Sequence, residues 1–137
     1  MMTMIHSIMA YLVVITLGLA VINAFIKWQK GNAFKKSDRT LSLIALIFSH
    51  IQLLIGLAVW AHNGYFKVMG EAMKEPALRK LAVEHPVTMI LAIVFITIGW
   101  SKHKKQTEDS GKFKSIALFY GIGLILILAM IPWNQWI

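Results

Sequence analysis

Four long apolar segments alternate with three stretches that carry all of the charge. The apolar part of each segment contains no Asp, Glu, Lys or Arg. A bilayer core about 30 Å thick is crossed by roughly 20 apolar residues in a helix. Because lipid offers no partners to backbone groups, each crossing is expected to be helical. The pattern predicts four transmembrane helices, at about residues 5–27, 40–62, 83–101 and 115–133.

The composition strengthens this prediction. Of the 137 residues, 58% are hydrophobic and only 15% are charged, whereas soluble domains are about half apolar and a quarter charged. The chain is short enough for one domain, residues 1–137. The first and third connections are short, which favours antiparallel neighbours. We therefore expect an all-α integral membrane protein that folds as a four-helix up-down bundle.

The charged connections predict the orientation. The formal net charge is +8, but no basic stripe follows an amphipathic helix, so a nucleic-acid partner is not expected. Ten Lys and Arg residues lie in stretches 27–39 and 102–114, and four lie in 62–84. By the positive-inside rule, the first and third connections are cytoplasmic and both termini lie on the outer, periplasmic side. Trp136 would then lie at the outer membrane interface.

Small residues predict where helices approach closely. Ala45, Ser49, Gln52 and Gly56 follow helical spacing on the second segment, and such stripes are common at membrane helix interfaces. Gly121 and Gly123 could allow a similar close approach on the fourth segment. The general composition of membrane helices accounts equally well for the small residues of both segments. In the middle connection, the run 65–69 extends helix two or lies on the interface, and Pro76 begins a new helical turn.

Residue types exclude several functions. The chain has no cysteine, which excludes disulfides, thiolate metal sites, iron–sulfur clusters and c-type haem attachment. The helix interiors contain no acidic residue, which argues against a proton-coupled transporter, and no Ser/His/Asp arrangement is evident. We expect an electron carrier or a subunit rather than a stand-alone enzyme.

Three histidines fall within the predicted membrane segments. At 1.5 Å per residue, His6 and His85 lie about 10–15 Å outward of the midplane, and His50 lies near it. Helices one and three of an up-down bundle are diagonal, so His6 and His85 could face each other across the core. Two histidines at one depth suit the axial positions of haem b. His50 would be a pocket group or an alternative ligand, and His62 and His103 are interpreted as interfacial.

The same histidines are compatible with two further functions. They could bind copper or zinc instead of haem, or the chain could be an accessory subunit without a cofactor. Glu84 could accept a hydrogen bond from a ligand imidazole. It could equally be a carboxylate favoured at a helix N-terminus.

Several strings resemble a known family. They are His6-Ser7, the run 49–56, Glu84-His85-Pro86, the run 96–101 and Ile131-Pro132-Trp133. Together they resemble small four-helix membrane proteins of Bacteroidetes that are labelled "cytochrome B". The resemblance covers essentially the whole chain and implies haem b, held by His6, His85 or His50. It also implies electron transfer in the cytoplasmic (inner) membrane. On this interpretation the protein would transfer one electron at a time, with a quinone or a redox protein as partner.

Overall fold

The computed structural model describes residues 2–133, and within this range every regular element is helical. Trp136 lies outside the described residues. The four long helices are α1 (Met2–Lys30), α2 (Lys36–His62), α5 (His85–Lys105) and α6 (Asp109–Met130). The middle connection contains a 3-10 turn (Tyr65–Lys67), the short helices α3 (Met69–Ala72) and α4 (Pro76–Arg79), and a π-helical turn (Lys80–Glu84).

Four helices are long and apolar enough to cross a membrane, as the sequence predicts. Their outward faces carry large apolar side chains that the protein itself does not cover. Leu54 is 68% exposed and Ile125 is 67% exposed, and many similar side chains surround them. Apolar surfaces of this extent mark contacts with a membrane or with other proteins, and their spread over four helices of membrane-spanning length indicates lipid. The chain is therefore a multi-pass membrane protein.

Each long helix packs mainly against two others. α1 contacts α2 and α6, and α5 contacts α6 and α2. α1 and α5 therefore occupy diagonal positions, as expected for the first and third membrane segments. Across the centre, the Tyr120 hydroxyl on α6 donates a 2.9 Å hydrogen bond to the Ser42 carbonyl on α2. Since Tyr120 and Ser42 are both buried, this bond joins the second diagonal pair.

Glycines set the closest helix approach, between α5 and α6. A Cβ atom on Gly123 would lie 2.7 Å from Ile96 Cγ1 and 3.0 Å from the Ala92 carbonyl oxygen. A Cβ atom on Gly99 would lie 2.8 Å from the Cβ atom of Phe119. The predicted role of Gly123 in packing agrees with these distances, whereas a Cβ atom on Gly121 would only touch Val21 at 3.9 Å.

The helix ends differ from the predicted bounds in ways that follow from the local sequence. α6 begins at Asp109 and ends at Met130, whereas the apolar pattern predicts 115–133. Ile131 has an extended backbone with ψ 130°, because the residue before a proline, here Pro132, is pushed out of the helical region. The N-terminal extension is polar, and a polar turn can be helical once it lies beyond the hydrocarbon.

In the middle connection, the structure confirms the helical turn predicted at Pro76 and decides between the two alternatives for the run 65–69. Helix α4 begins at Pro76, where a fixed φ and a missing N–H suit the first helical turn. The run 65–69 does not continue α2. Gly64 has φ +72°, a left-handed conformation that glycine adopts without strain, and it separates α2 from the following 3-10 turn.

A buried carboxylate joins the first two helices at their charged end. Asp38 is only 3% exposed. Its oxygens accept hydrogen bonds from Lys27 Nζ at 2.7 Å, Asn23 Nδ2 at 2.9 Å and the Lys35 backbone N–H at 2.8 Å. The last of these closes the first turn of α2, and the other two reach across to α1. This carboxylate therefore fixes the tight connection between the helices.

The Asp38→Asn substitution is expected to destabilise the protein by about 1–3 kcal/mol, because a neutral amide cannot replace three bonds to a buried charge. Lys27 is partly exposed, which keeps the loss below that of a fully buried pair. Thermal unfolding in detergent measures the change. Asp109→Asn, in the first turn of α6, is the control and should cost well under half as much. Equal losses would contradict the role of Asp38.

Candidate functional site

A cavity of about 240 Å³ lies between the N-terminal end of α1, the C-terminal half of α2, the start of α5 and the end of α6. Its walls are mainly apolar, with a few convergent polar groups, as is usual in cofactor and ligand sites. The polar lining residues are Thr3, His6, Ser7, Ser49, Gln52, Asn63, Tyr65 and His85. This cavity contains two of the three histidines that the sequence singles out.

His6 and His85 face each other in this cavity. Their ring centroids are 6.4 Å apart, and their planes are perpendicular. Both side chains are half-buried. Equal depth on diagonal helices allows this meeting, and the structure brings the two rings together.

Hydrogen bonding fixes the orientation of the His85 ring. Its Nδ1 atom lies 2.9 Å from the carbonyl oxygen of Met130, at the end of α6. A carbonyl oxygen can only accept, so Nδ1 carries the hydrogen and Nε2 has a free lone pair. Histidine ligands of metal ions usually have this arrangement, with one nitrogen donating to a carbonyl and the other binding the metal.

A proline and a tryptophan shape the backbone next to His85. Pro86 has no N–H, so it cannot donate a helical bond to the carbonyl of Ala82. Trp60 Nε1 on α2 donates to this carbonyl instead, at 2.8 Å. The turn before His85 is π-helical, a form that is frequent at functional sites. These contacts anchor the start of α5 to α2 and so hold His85 at the cavity.

The His6 ring packs against α2. Gln52 Nε2 donates a 2.8 Å hydrogen bond to the His6 backbone carbonyl. A Cβ atom on Gly56 would lie 3.2 Å from His6 Cε1, so the glycine leaves room for the ring. The predicted small-residue stripe on α2 thus faces α1 and the cavity.

Two buried polar atoms in this cluster make no hydrogen bond of good geometry among residues 2–133, although their two side chains interact with each other. They are Nδ1 of His6 and Oε1 of Gln52. An unsatisfied buried group costs about 1–3 kcal/mol, and such groups are uncommon outside functional sites. The cost is concentrated beside the paired imidazoles, which marks this end of the cavity as a candidate binding site.

His50 does not join the pair. Its side chain is exposed on the membrane face and does not line the cavity. Nδ1 lies 2.8 Å from the carbonyl oxygen of Leu46, one turn earlier in α2, and Nε2 lies 3.4 Å from Thr97 Oγ1 on α5. Local hydrogen bonding therefore accounts for this midplane histidine.

Glu84 is also directed elsewhere. Its Oε2 atom accepts a 2.9 Å hydrogen bond from Arg79 Nε, while His85 uses the Met130 carbonyl. Within residues 2–133, no group of three or more His, Asp or Glu side chains is placed to hold a metal ion. The described side chains thus offer a pair of imidazoles rather than the three or four protein ligands usual for zinc.

The burial of two polar residues, Asp38 and His103, was not predicted from the sequence. His103, predicted to be interfacial, is only 2% exposed. Its Nδ1–H donates to the Trp100 carbonyl at 2.6 Å, and its ring packs 5.4 Å from that of Phe34. The aromatic residues at positions 34 and 100 could have indicated that His103 is buried, because they shield this histidine although its neighbours in sequence are lysines.

Comparisons of this chain with protein-family models, with curated proteins and with solved structures found no match. The fold and the cavity together define a multi-pass helical membrane protein with a pair of facing imidazoles.

Proposed function

We propose that this protein binds haem b between His6 and His85 and transfers single electrons in the membrane. The separation of the two rings carries the proposal. Two imidazoles on opposite sides of one metal ion, at metal–nitrogen distances of about 2.0–2.1 Å, have centroids roughly 6.3 Å apart. The separation of 6.4 Å between His6 and His85 agrees with this value.

The chemistry of the residues fits the same group. A haem iron takes four nitrogens from its porphyrin and needs only two protein ligands, which matches a histidine pair without a third ligand. His85 has its Nδ1–H tied to Met130, which leaves Nε2 for coordination. The largely apolar walls suit a porphyrin, and the resemblance to small "cytochrome B" membrane proteins implies the same cofactor.

This chain's residues would hold and tune the group. The haem would supply one-electron redox chemistry when bound. His6 and His85 would be its protein ligands, and the Met130 carbonyl would strengthen the basicity of the His85 ring through its hydrogen bond. Apolar lining residues such as Leu53 and Met89 would exclude water. His50 remains an alternative ligand only if its ring leaves the membrane face.

Orientation and location form part of the proposal. The contacts between helices and the short first and third connections support an up-down bundle. The excess of Lys and Arg in stretches 27–39 and 102–114 supports a cytoplasmic position for that end. Both termini and the histidine cavity would then lie near the outer face of the cytoplasmic membrane. A quinone or an external redox protein would exchange electrons there.

Absorption spectroscopy tests the proposal directly. The full chain is expressed in cells supplied with ample haem, purified in detergent, and measured before and after reduction with dithionite. We expect a Soret band that shifts on reduction and about one haem per chain. Elemental analysis of the same sample measures copper and zinc. A colourless protein refutes the haem assignment, and stoichiometric copper or zinc would replace it with a metal site.

A second candidate is a membrane subunit without a cofactor. Edge-to-face aromatic pairs have centroids about 4.5–7 Å apart, so a direct contact between perpendicular rings also accounts for the 6.4 Å separation. The volume of about 240 Å³ lies below the usual 300–1,000 Å³ of ligand sites. Under this alternative, His6→Leu and His85→Leu would fold and assemble normally, and the purified chain would contain no haem or metal.

A further inference from the structure

A second pocket, of about 460 Å³, lies at the opposite end of the helices from the histidine cavity. The connection between α1 and α2 and the first turn of α2 contribute residues to it, and so do the end of α5 and the start of α6. Its lining residues are Phe34, Lys35, Lys36, Arg39, His103, Lys104 and Lys112. Five of the seven are cationic and none is acidic, so the pocket is a concentrated positive site.

The charge of this pocket is not neutralised by nearby carboxylates. Among residues 2–133, the ion pairs are Lys27–Asp38 and Arg79–Glu84, and neither includes a lining cation. Asp38 is the nearest carboxylate along the chain, but its oxygens bind Lys27, Asn23 and the Lys35 backbone. The cations are therefore available to an anion from outside the chain.

Aromatic rings position these cations without cancelling their charge. The Arg39 guanidinium lies 5.2 Å from the centroid of Trp100, and Lys112 Nζ lies 5.6 Å from that of Phe34. Both contacts fall within the range of cation–π attraction. The buried His103 ring packs between Phe34 and Trp100. The pocket thus has an ordered aromatic floor, unlike a set of flexible surface lysines.

The position of the pocket points to a lipid. It lies where the membrane helices end and their charged connections begin, which is the depth of phospholipid phosphates. Exposed apolar side chains cover the adjoining helix faces and could contact acyl chains. Basic pockets between membrane helices bind anionic headgroups, and each Lys or Arg near the surface strengthens this attraction. We propose that this pocket binds the phosphate of an anionic phospholipid, of the phosphatidylglycerol type.

Native mass spectrometry of the full chain in detergent tests the proposal, with titration of phosphatidylglycerol and of phosphatidylcholine. The triple variant Arg39→Gln, Lys104→Gln, Lys112→Gln removes three lining charges. The control Lys30→Gln, Lys105→Gln, Lys114→Gln removes three charges at the same end that do not line the pocket. We expect the first triple to bind phosphatidylglycerol roughly 10–100-fold more weakly. The control should change binding less than about threefold.

Three results would overturn the proposal. Equal losses in the two triple variants would show diffuse surface attraction, and equal binding of the two lipids would show no preference for an anionic headgroup. Displacement of the lipid by millimolar inorganic phosphate, with phosphate binding in its place, would assign the pocket to a soluble anion. If the first triple variant does not fold, Lys104→Gln and Lys105→Gln decide the question. Only the former should weaken binding, by about fivefold, and equal effects would refute the site.

Discussion

The His85→Ala substitution is expected to remove the Soret band of the haem-loaded protein, and His6→Ala is expected to do the same. Each ring would supply one of only two protein ligands, and neither has a substitute within the cavity. His50 is exposed and its ring is oriented by the Leu46 carbonyl, so it cannot take over without a change in its orientation. Haem content per chain, measured from the absorption spectrum, should fall at least tenfold.

His50→Ala is the matched control, because it removes a membrane histidine outside the cavity. It should retain haem at nearly the level of the unmodified protein. Glu84→Gln should do likewise, since this carboxylate pairs with Arg79 and not with His85. Helical content by circular dichroism shows whether each variant is folded. Loss of haem in His50→Ala, with haem retained in folded His6→Ala, would contradict the assigned pair of ligands.

The Gly123→Leu substitution is expected to destabilise the protein by about 3 kcal/mol or more. Its Cβ atom alone would lie 2.7 Å from Ile96 and 3.0 Å from the Ala92 backbone. A helix backbone cannot yield as a side chain does, so α5 and α6 must separate along their closest contact. Overpacking usually costs 1–3 kcal/mol of stability. Because the clash here involves main chain, the loss for this variant should lie at the upper end of that range or above it. Thermal unfolding in detergent measures the effect.

Gly18→Leu is the control for the glycine experiment. Gly18 lies in the middle of α1, and a Cβ atom there would meet nothing within 4 Å. The same change in side-chain size at this position should be neutral or slightly stabilising, because leucine favours helix more than glycine does. Similar losses of stability in the two variants would show that close packing of α5 on α6 is not the cause of the effect at Gly123.

The membrane helices follow from composition, and their ends depend on local chemistry. Uncharged runs of about 20 residues leave few alternatives to a spanning helix, so all four are identified by sequence. Their charged ends are less well defined. Since Lys and Asp can be helical outside the hydrocarbon, α6 extends back to Asp109. Pro132 ends α6 early, through the conformation of Ile131, and a rule for residues before proline could have predicted this.

The candidate site was predictable in depth but not in direction. Counting residues places His6 and His85 at one level, and that level requires only the rise per residue. Whether a ring faces the interior depends on the rotation of each helix about its axis, which packing sets. The outward-facing sides of these helices are nearly as apolar as their buried sides. Hydrophobic periodicity therefore does not show which side of a helix faces the interior. His50 is therefore exposed on the outer face of α2, although its depth predicted a pocket group or an alternative ligand.

The sequence by itself determined that the chain has four helices able to cross a membrane, that its charge lies in the three stretches between the apolar segments, and which histidines have similar depths along those helices. These properties can be read from the sequence because the free energies of transferring individual residues into lipid add up along each segment. Only the tertiary structure decided which groups meet. The Met130 carbonyl rather than Glu84 holds His85, and His103 is buried beneath aromatic rings. Five cations from the start of α2, the end of α5 and the start of α6 share one pocket. Such contacts depend on helix rotation and approach, which distant small residues such as Gly99 and Gly123 control.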